Sequence, residues 1–140
     1  MKKFWMIGLF VFSLVSQVAY SKETIGTFSN MTIIKEEGDC LGIEVKLWKD
    51  GKAVRGELKD YEGECNVTPV ALKDVKYDAK TGHISFKAIN NQKFIHVFDG
   101  TLSKGSLIGF FETNMNGKLT TEKLKISLKK KASAPKPVKR

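Results

Sequence analysis

The stretch His83–Phe111, HISFKAINNQKFIHVFDGTLSKGSLIGFF, sets the terms for the rest of the chain. Ile84, Phe86 and Ala88 alternate with His83, Ser85 and Lys87, the period of two that lets a pleated strand bury one face. Phe94, Ile95, Val97 and Phe98 place apolar groups on both faces, as in a strand covered by neighbours, and Leu107 to Phe111 repeats that density. Asn90-Asn91-Gln92 and Ser103-Lys104-Gly105-Ser106 separate the runs; Asn and Gly tolerate positive φ and reverse a chain in few residues. The spacing predicts an antiparallel meander, and nothing in it keeps helical period for three turns.

The chain on either side of this stretch, from residue 22 onward, reads the same way. Ile25–Lys35 is a first strand, interrupted at Gly26 and Asn30 by a bulge or bend. Glu36-Glu37-Gly38-Asp39 turns into Leu41–Lys49, where Ile43, Val45 and Leu47 alternate with Glu44, Lys46 and Trp48. Asp50-Gly51 is a two-residue hairpin signal. Ala53–Tyr61 follows, then the turn Glu62-Gly63-Glu64, then Val67–Tyr77, with Pro69 expected at an edge or near the strand start because it donates no ladder hydrogen bond. After the meander, Asn114-Met115-Asn116-Gly117 leads into Leu119–Leu128. Eight short strands at near-even spacing, joined by consecutive hairpins, predict an all-β fold. The expected form is a small eight-stranded antiparallel up-and-down barrel, whose closure removes exposed edges. A two-sheet β-sandwich is the alternative.

The first segment is not expected to belong to the fold. Lys2 and Lys3 precede a 12-residue apolar run, Phe4–Val15, and small residues follow to Ala19-Tyr20-Ser21. These are the features of a secretory signal peptide, and the run is shorter than the roughly 20 residues of a bilayer span. Residues 1–21 are therefore read as a signal peptide, cut after Ser21 or, alternatively, after Ala19. The mature protein would be periplasmic or secreted, with no transmembrane span. An uncleaved anchor is the competing reading.

The formal charge of +9 is concentrated. Lys129, Lys130, Lys131, Lys136, Lys139 and Arg140 contribute six positive charges with no acid among them, whereas residues 22–128 hold 16 bases against 15 acids. The organisation is a nearly neutral barrel domain, 22–128, and a basic tail, 129–140. Ala, Ser and two prolines make that tail disordered by composition. Such a tail suits an anionic surface, and the high isoelectric point is not read as nucleic-acid binding.

Several features taken together, Gly26-Thr27-Phe28-Ser29-Asn30-Met31, Gly38-Asp39, Gly42-Ile43-Glu44, Pro69-Val70, Ile84 with Phe86, Phe98 with Gly100-Thr101-Leu102, and Leu107 with Gly109, resemble a group of small exported bacterial proteins of unknown function. The resemblance spans about 25–128 and rests on scaffold residues. It implies export and a β fold and no activity.

Both cysteines, Cys40 and Cys65, follow the expected cut, and an even pair in an exported chain reads as one disulfide. Closing such a loop is worth about 3 kcal/mol in the chain-entropy model. In an up-and-down barrel, Cys40 at the end of loop 1–2 and Cys65 at the end of loop 3–4 fall at one rim. The same loops carry Glu36, Glu37, Asp39, Glu62 and Glu64, an acidic rim open to a cation or a basic partner. The opposite end collects Lys49, Lys52, Lys80 and Lys104 with both termini, so one end is expected to be acidic and the other basic.

No serine elbow, histidine pair, phosphate loop or hard-cation loop occurs. His83 and His96 read as surface or barrel-wall residues, and Asp99 near them does not complete a catalytic set. No enzyme activity, cofactor or metal is expected. Six Phe in the mature chain would leave a small barrel little internal space. The favoured expectation is a non-enzymatic envelope or secreted module that contacts a protein or an anionic surface through barrel-end loops and the tail. A lipocalin-like carrier of a small apolar ligand is the alternative.

Overall fold

The computed structural model describes residues 22–90, 93–119 and 123–133. The expected signal peptide, Asn91 and Gln92 of the expected turn, and Lys136, Lys139 and Arg140 of the expected tail lie outside them. The strands are β1 (Glu23–Ser29), β2 (Thr32–Ile34), β3 (Asp39–Asp50), β4 (Ala53–Gly63), β5 (Val70–Tyr77), β6 (His83–Ile89), β7 (Phe94–Leu102), β8 (Ser106–Met115), β9 (Lys118–Leu119) and β10 (Leu124–Lys130). No helix among the described residues is long and apolar enough to cross a membrane.

Neighbours pair antiparallel in the order β1-β10-β8-β7-β6-β5-β4-β3-β2, and β1 also pairs with β3, so the sheet closes on itself. Two of the staves are broken strands. β1 and β2 both lie on β3, with Ser29 opposite Glu44 and Thr32 opposite Leu41. At the break, Asn30 N–H donates to Ile43 O, and Asn30 Oδ1 accepts from Ile43 N–H at 2.7 Å. The side chain thus replaces the ladder bond that the kink removes. β9 and β10 share β8 in the same manner. Counted as staves, the molecule is the eight-stranded up-and-down barrel that the turn spacing predicts.

Gly26 marks a bulge, with a register shift between Thr24 and Gly26, and Pro69 immediately precedes β5. The hairpin at Asp50-Gly51 forms one residue later than its sequence suggests. Asp50 stays in the ladder opposite Ala53, leaving Gly51-Lys52 as the two-residue loop. Only Gly51, at φ 65°, needs the left-handed region, as in a turn with Gly at its first central position. Asp50 meanwhile holds Arg55 at 2.8 Å. β10 runs two residues past Leu128, where Lys129 and Lys130 pair with Ser29 and Phe28 and close the barrel. These two lysines therefore belong to the wall, not to a free tail.

Alternate residues fill the interior: Phe28, Val45, Leu47, Leu58, Ile84, Phe86, Ala88, Phe98, Leu107, Phe111 and Leu128 are buried. Each large apolar side chain withdrawn from water contributes about 1.5–3 kcal/mol. Phe86 and Phe98 stack with ring centroids 4.9 Å apart. Beneath Phe98, Gly100 stands opposite Gly109. A Cβ on either glycine would approach Phe98 Cζ to 2.7 or 2.8 Å, so the bare glycine pair is the space into which the ring lies. Four of the six mature-chain phenylalanines, Phe28, Phe86, Phe98 and Phe111, thus occupy the barrel interior.

Candidate functional site

The alternation that builds the wall also sorts the loops into two ends. At one end the disulfide joins Cys40 to Cys65, with Cα atoms 5.0 Å apart. Glu36, Glu37, Asp39, Glu62 and Glu64 all lie at this end, on the β2–β3 turn and beside the end of β4. Lys35, Lys93 and Lys118 share it. The opposite end carries Lys49, Lys52, Lys80, Lys104, Lys129 and Lys130 together with Glu23, Asp50 and Asp78. Charge is therefore unequal between the ends but segregated at neither.

The expected split into one acidic and one basic end is thus replaced by mixed charge at both, and the end richer in lysine is concave. An open depression of about 770 Å³ lies between the β5–β6 and β7–β8 turns and the ends of β1, β3 and β10. Lys49, Lys80, Lys104 and Lys130 line it, one from each of four separate chain segments. Phe28, Ile25, Tyr77 and Leu102 supply apolar surface, and Glu23 is the one carboxylate among its lining residues. Backbone hydrogen bonds set the turns: Asp78 N–H donates to His83 O, Gly82 N–H to Asp78 O, and Leu102 N–H to Gly82 O. Lys80 is fixed at its own N–H, which donates to Asp78 Oδ1 at 2.8 Å. Lys130 N–H donates to Gly105 O, tying the end of β10 to the turn that carries Lys104. The stem of Lys130 lies over Gly26, where an added Cβ would meet Lys130 Cε at 2.7 Å. Among the described residues none of these four lysines makes an ion pair, so their charges are available to a partner. Lys52 stands in the neighbouring β3–β4 loop, outside the lining.

Of the expected tail, Lys131 is the first residue past β10. Its N–H donates to Thr27 O at 2.7 Å, and its Nζ bonds Glu44 Oε2 at 2.9 Å. The hydrogen bond to Glu44 pushes the Lys131 ammonium above its ordinary pKa. Residues 131–133 thus run onto the outer wall formed by β1 and β3, which separates Lys131 from the lysine-lined mouth.

A second group of polar residues, which the sequence expectations did not bring together, centres on His96, expected as a surface or barrel-wall residue and found inside the barrel toward the disulfide end. His96 is 3 % exposed. Its Nδ1 is 3.0 Å from Thr113 Oγ1, and its ring stacks on Phe111 at 5.4 Å. Its Nε2 points at Asp60 Oδ2 from 3.7 Å, too long for a hydrogen bond, and is left buried with no hydrogen-bond partner. Burial lowers the His96 pKa, with Glu62 acting weakly the other way. Burial, reinforced by the negative charge and hydrogen bonding of Glu62, raises the Asp60 carboxyl to about 6. The signal was present in the alternation. Asp60 follows Leu58 by two residues and His96 precedes Phe98 by two, so both occupy inward positions. His83, by contrast, is an exposed residue paired with Asp99 at 3.2 Å.

Comparison with family models, with curated proteins and with solved structures finds no match to this chain.

Proposed function

We propose that the protein is an exported, non-enzymatic binding module that seats its lysine-lined mouth on an anionic surface. The observation that carries this reading is the convergence of Lys49, Lys80, Lys104 and Lys130 on one open depression with apolar patches in its lining. Lysines without internal partners favour anionic groups, at about 1 kcal/mol per base beside an anionic membrane. Export is supported by the basic, apolar and small-residue order of the first 21 residues, and the disulfide is compatible with an oxidising compartment. The envelope supplies polyanionic surfaces in that compartment. The carrier alternative draws less support, because phenylalanines occupy the interior and the depression is open to solvent.

Co-sedimentation with vesicles tests the reading. The protein should bind phosphatidylglycerol vesicles, release on raising salt, and ignore phosphatidylcholine. Replacing Lys80 and Lys104 together by Ala should weaken binding by about 2 kcal/mol, roughly 30-fold. Retention equal to that of the unaltered protein would exclude the mouth as the contact surface.

A further inference from the structure

We propose that the disulfide rim is a pairing surface for a second copy of this chain, the two barrels meeting rim to rim about a two-fold axis. The first observation is apolar. Among the described residues nine large apolar side chains are exposed, and all but Ile108 and Phe110 lie at this end of the barrel. Ile33, Leu41, Leu119 and Leu124 are 60 %, 41 %, 58 % and 54 % exposed. Their exposure has a structural cause. β1 meets β10 only at Phe28 and Ser29. Beyond Ser29, β2 follows β3 while β10 follows β8, and among the described residues no ladder joins β2 to β10. The seam that closes the lysine end is therefore open at the disulfide end. Leu124 keeps the alternation of Ile126 and Leu128 but has no strand on its seam side, and Thr32–Ile34 are all exposed. Open strand edges and gathered apolar side chains mark a surface suited to a protein partner.

The order of charge around the rim says which partner. The β2–β3 turn and the end of β4 carry Glu36, Glu37, Asp39, Glu62 and Glu64 against Lys35. The β6–β7 turn and the segment from β8 to β10 carry Lys93, Lys118 and Lys123, with Glu122 as the one acid in the sequence of those connections. Strands β2, β3 and β4 are consecutive in the sheet, as are β6, β7, β8 and β10. The acids therefore occupy one half of the circle and the bases the other. Among the described residues Glu36, Glu37, Glu64, Lys93 and Lys118 make no ion pair. Such a face complements itself: a half turn about the line between the halves lays each acidic half on its partner's basic half, the isologous contact of a two-fold dimer. A partner of uniform charge meets repulsion on one half. Rim-to-rim pairing also turns the two lysine-lined mouths in opposite directions. Given the anionic-surface function proposed above, on which this consequence rests, the dimer bridges two such surfaces.

The protein recovered after export, with its disulfide intact, is followed by sedimentation equilibrium at low salt, without vesicles, across about 1 μM to 1 mM. A mass of two chains is expected. Two charge-reversed variants read the geometry. Glu36→Lys, Glu37→Lys and Glu64→Lys together turn the acidic half basic; Lys93→Glu with Lys118→Glu turns the basic half acidic. Each variant alone should pair about tenfold more weakly or worse, and an equal mixture should recover the two-chain mass. Leu119→Ser, at an exposed position, should also weaken pairing about tenfold. A one-chain mass at every concentration overturns the proposal. So does a dimer that neither the reversals nor Leu119→Ser weakens, a mixture that stays monomeric, or an assembly that grows beyond two chains. Phosphatidylglycerol vesicles separate this inference from the function it builds on. A dimer that binds and clusters them supports both; a dimer that does not bind them overturns the mouth as a contact surface and leaves the pairing standing. Binding without clustering overturns the opposed arrangement.

Discussion

The two ends of the barrel solve opposite problems. The disulfide end carries buried polar groups, and a covalent clamp spans the loops around them. The lysine end has no clamp; it is held by backbone hydrogen bonds among short turns and by the pairing of β10 with β1. Its charged groups stay in water, where an ammonium is cheap to keep. Groups hidden from water need a fixed frame, because an unmet acceptor in a dry interior is costly. Groups that meet a partner at a wet surface do not. The difference teaches that the two rims of one small cylinder can be given separate tasks, with the phenylalanine layer between them as the insulating floor.

Replacing Phe98 by Ala removes that floor and should affect both ends at once. A loss of about 3–5 kcal/mol is expected from such a truncation, read by chemical denaturation. If only one end loosened in amide exchange, the shared core would be the wrong description. Replacing Cys40 and Cys65 together by Ser should cost about 3 kcal/mol and should raise amide exchange first around 38–42 and 60–65. Binding to anionic vesicles should survive under conditions where the variant remains folded.

Acid–base behaviour sharpens the contrast, because the shifted carboxyl and imidazole pKa values lie at the disulfide end. Asp60 has its carboxyl raised to about 6 in the folded chain. A carboxyl raised on folding favours the native state below its unfolded pKa of about 3.9, and that contribution is lost as pH climbs through the folded value. Asp60→Asn should therefore add about 2 kcal/mol near pH 7.5 and little near pH 4. The lowered His96 has the reverse sign: its contribution is present above about pH 6.5 and fades as pH falls below it. In the Asn variant this opposing slope should be exposed, so stability should fall more steeply on acidification than in the unaltered chain. A parallel pair of pH–stability curves would contradict the assignment. The smallest effect is expected from Lys131→Ala, which removes a half-exposed ion pair to Glu44. It should cost about 0.2–1 kcal/mol, less at high salt.

Most of the barrel was legible because alternation and turn chemistry are local. Ile84-x-Phe86-x-Ala88 specifies a face without knowledge of the partner strand, and two distant cysteines fall on one rim once the staves are counted. The boundaries that moved were set by pairing across the closure. Lys129 and Lys130 look like the start of a charged tail, and only the β1–β10 seam reveals them as wall. The offset of the Asp50 hairpin likewise depends on the ladder and on Arg55. Lys49, Lys80 and Lys104 could be assigned to one end from loop order alone, but their gathering around a depression with Lys130 required the curvature of the wall. The Asp60–His96 contact joins β4 to β7 across the interior, a relation that no spacing along the chain encodes.

The most direct test of a barrel with one clamped end and one surface-seeking end is residue-resolved NMR on anionic bicelles. The account predicts that amides at 49–52, 78–82 and 103–105 shift or broaden, while those flanking Cys40 and Cys65 keep their free-state positions. Perturbation centred on the disulfide rim, with the lysine-bearing turns unmoved, would contradict it.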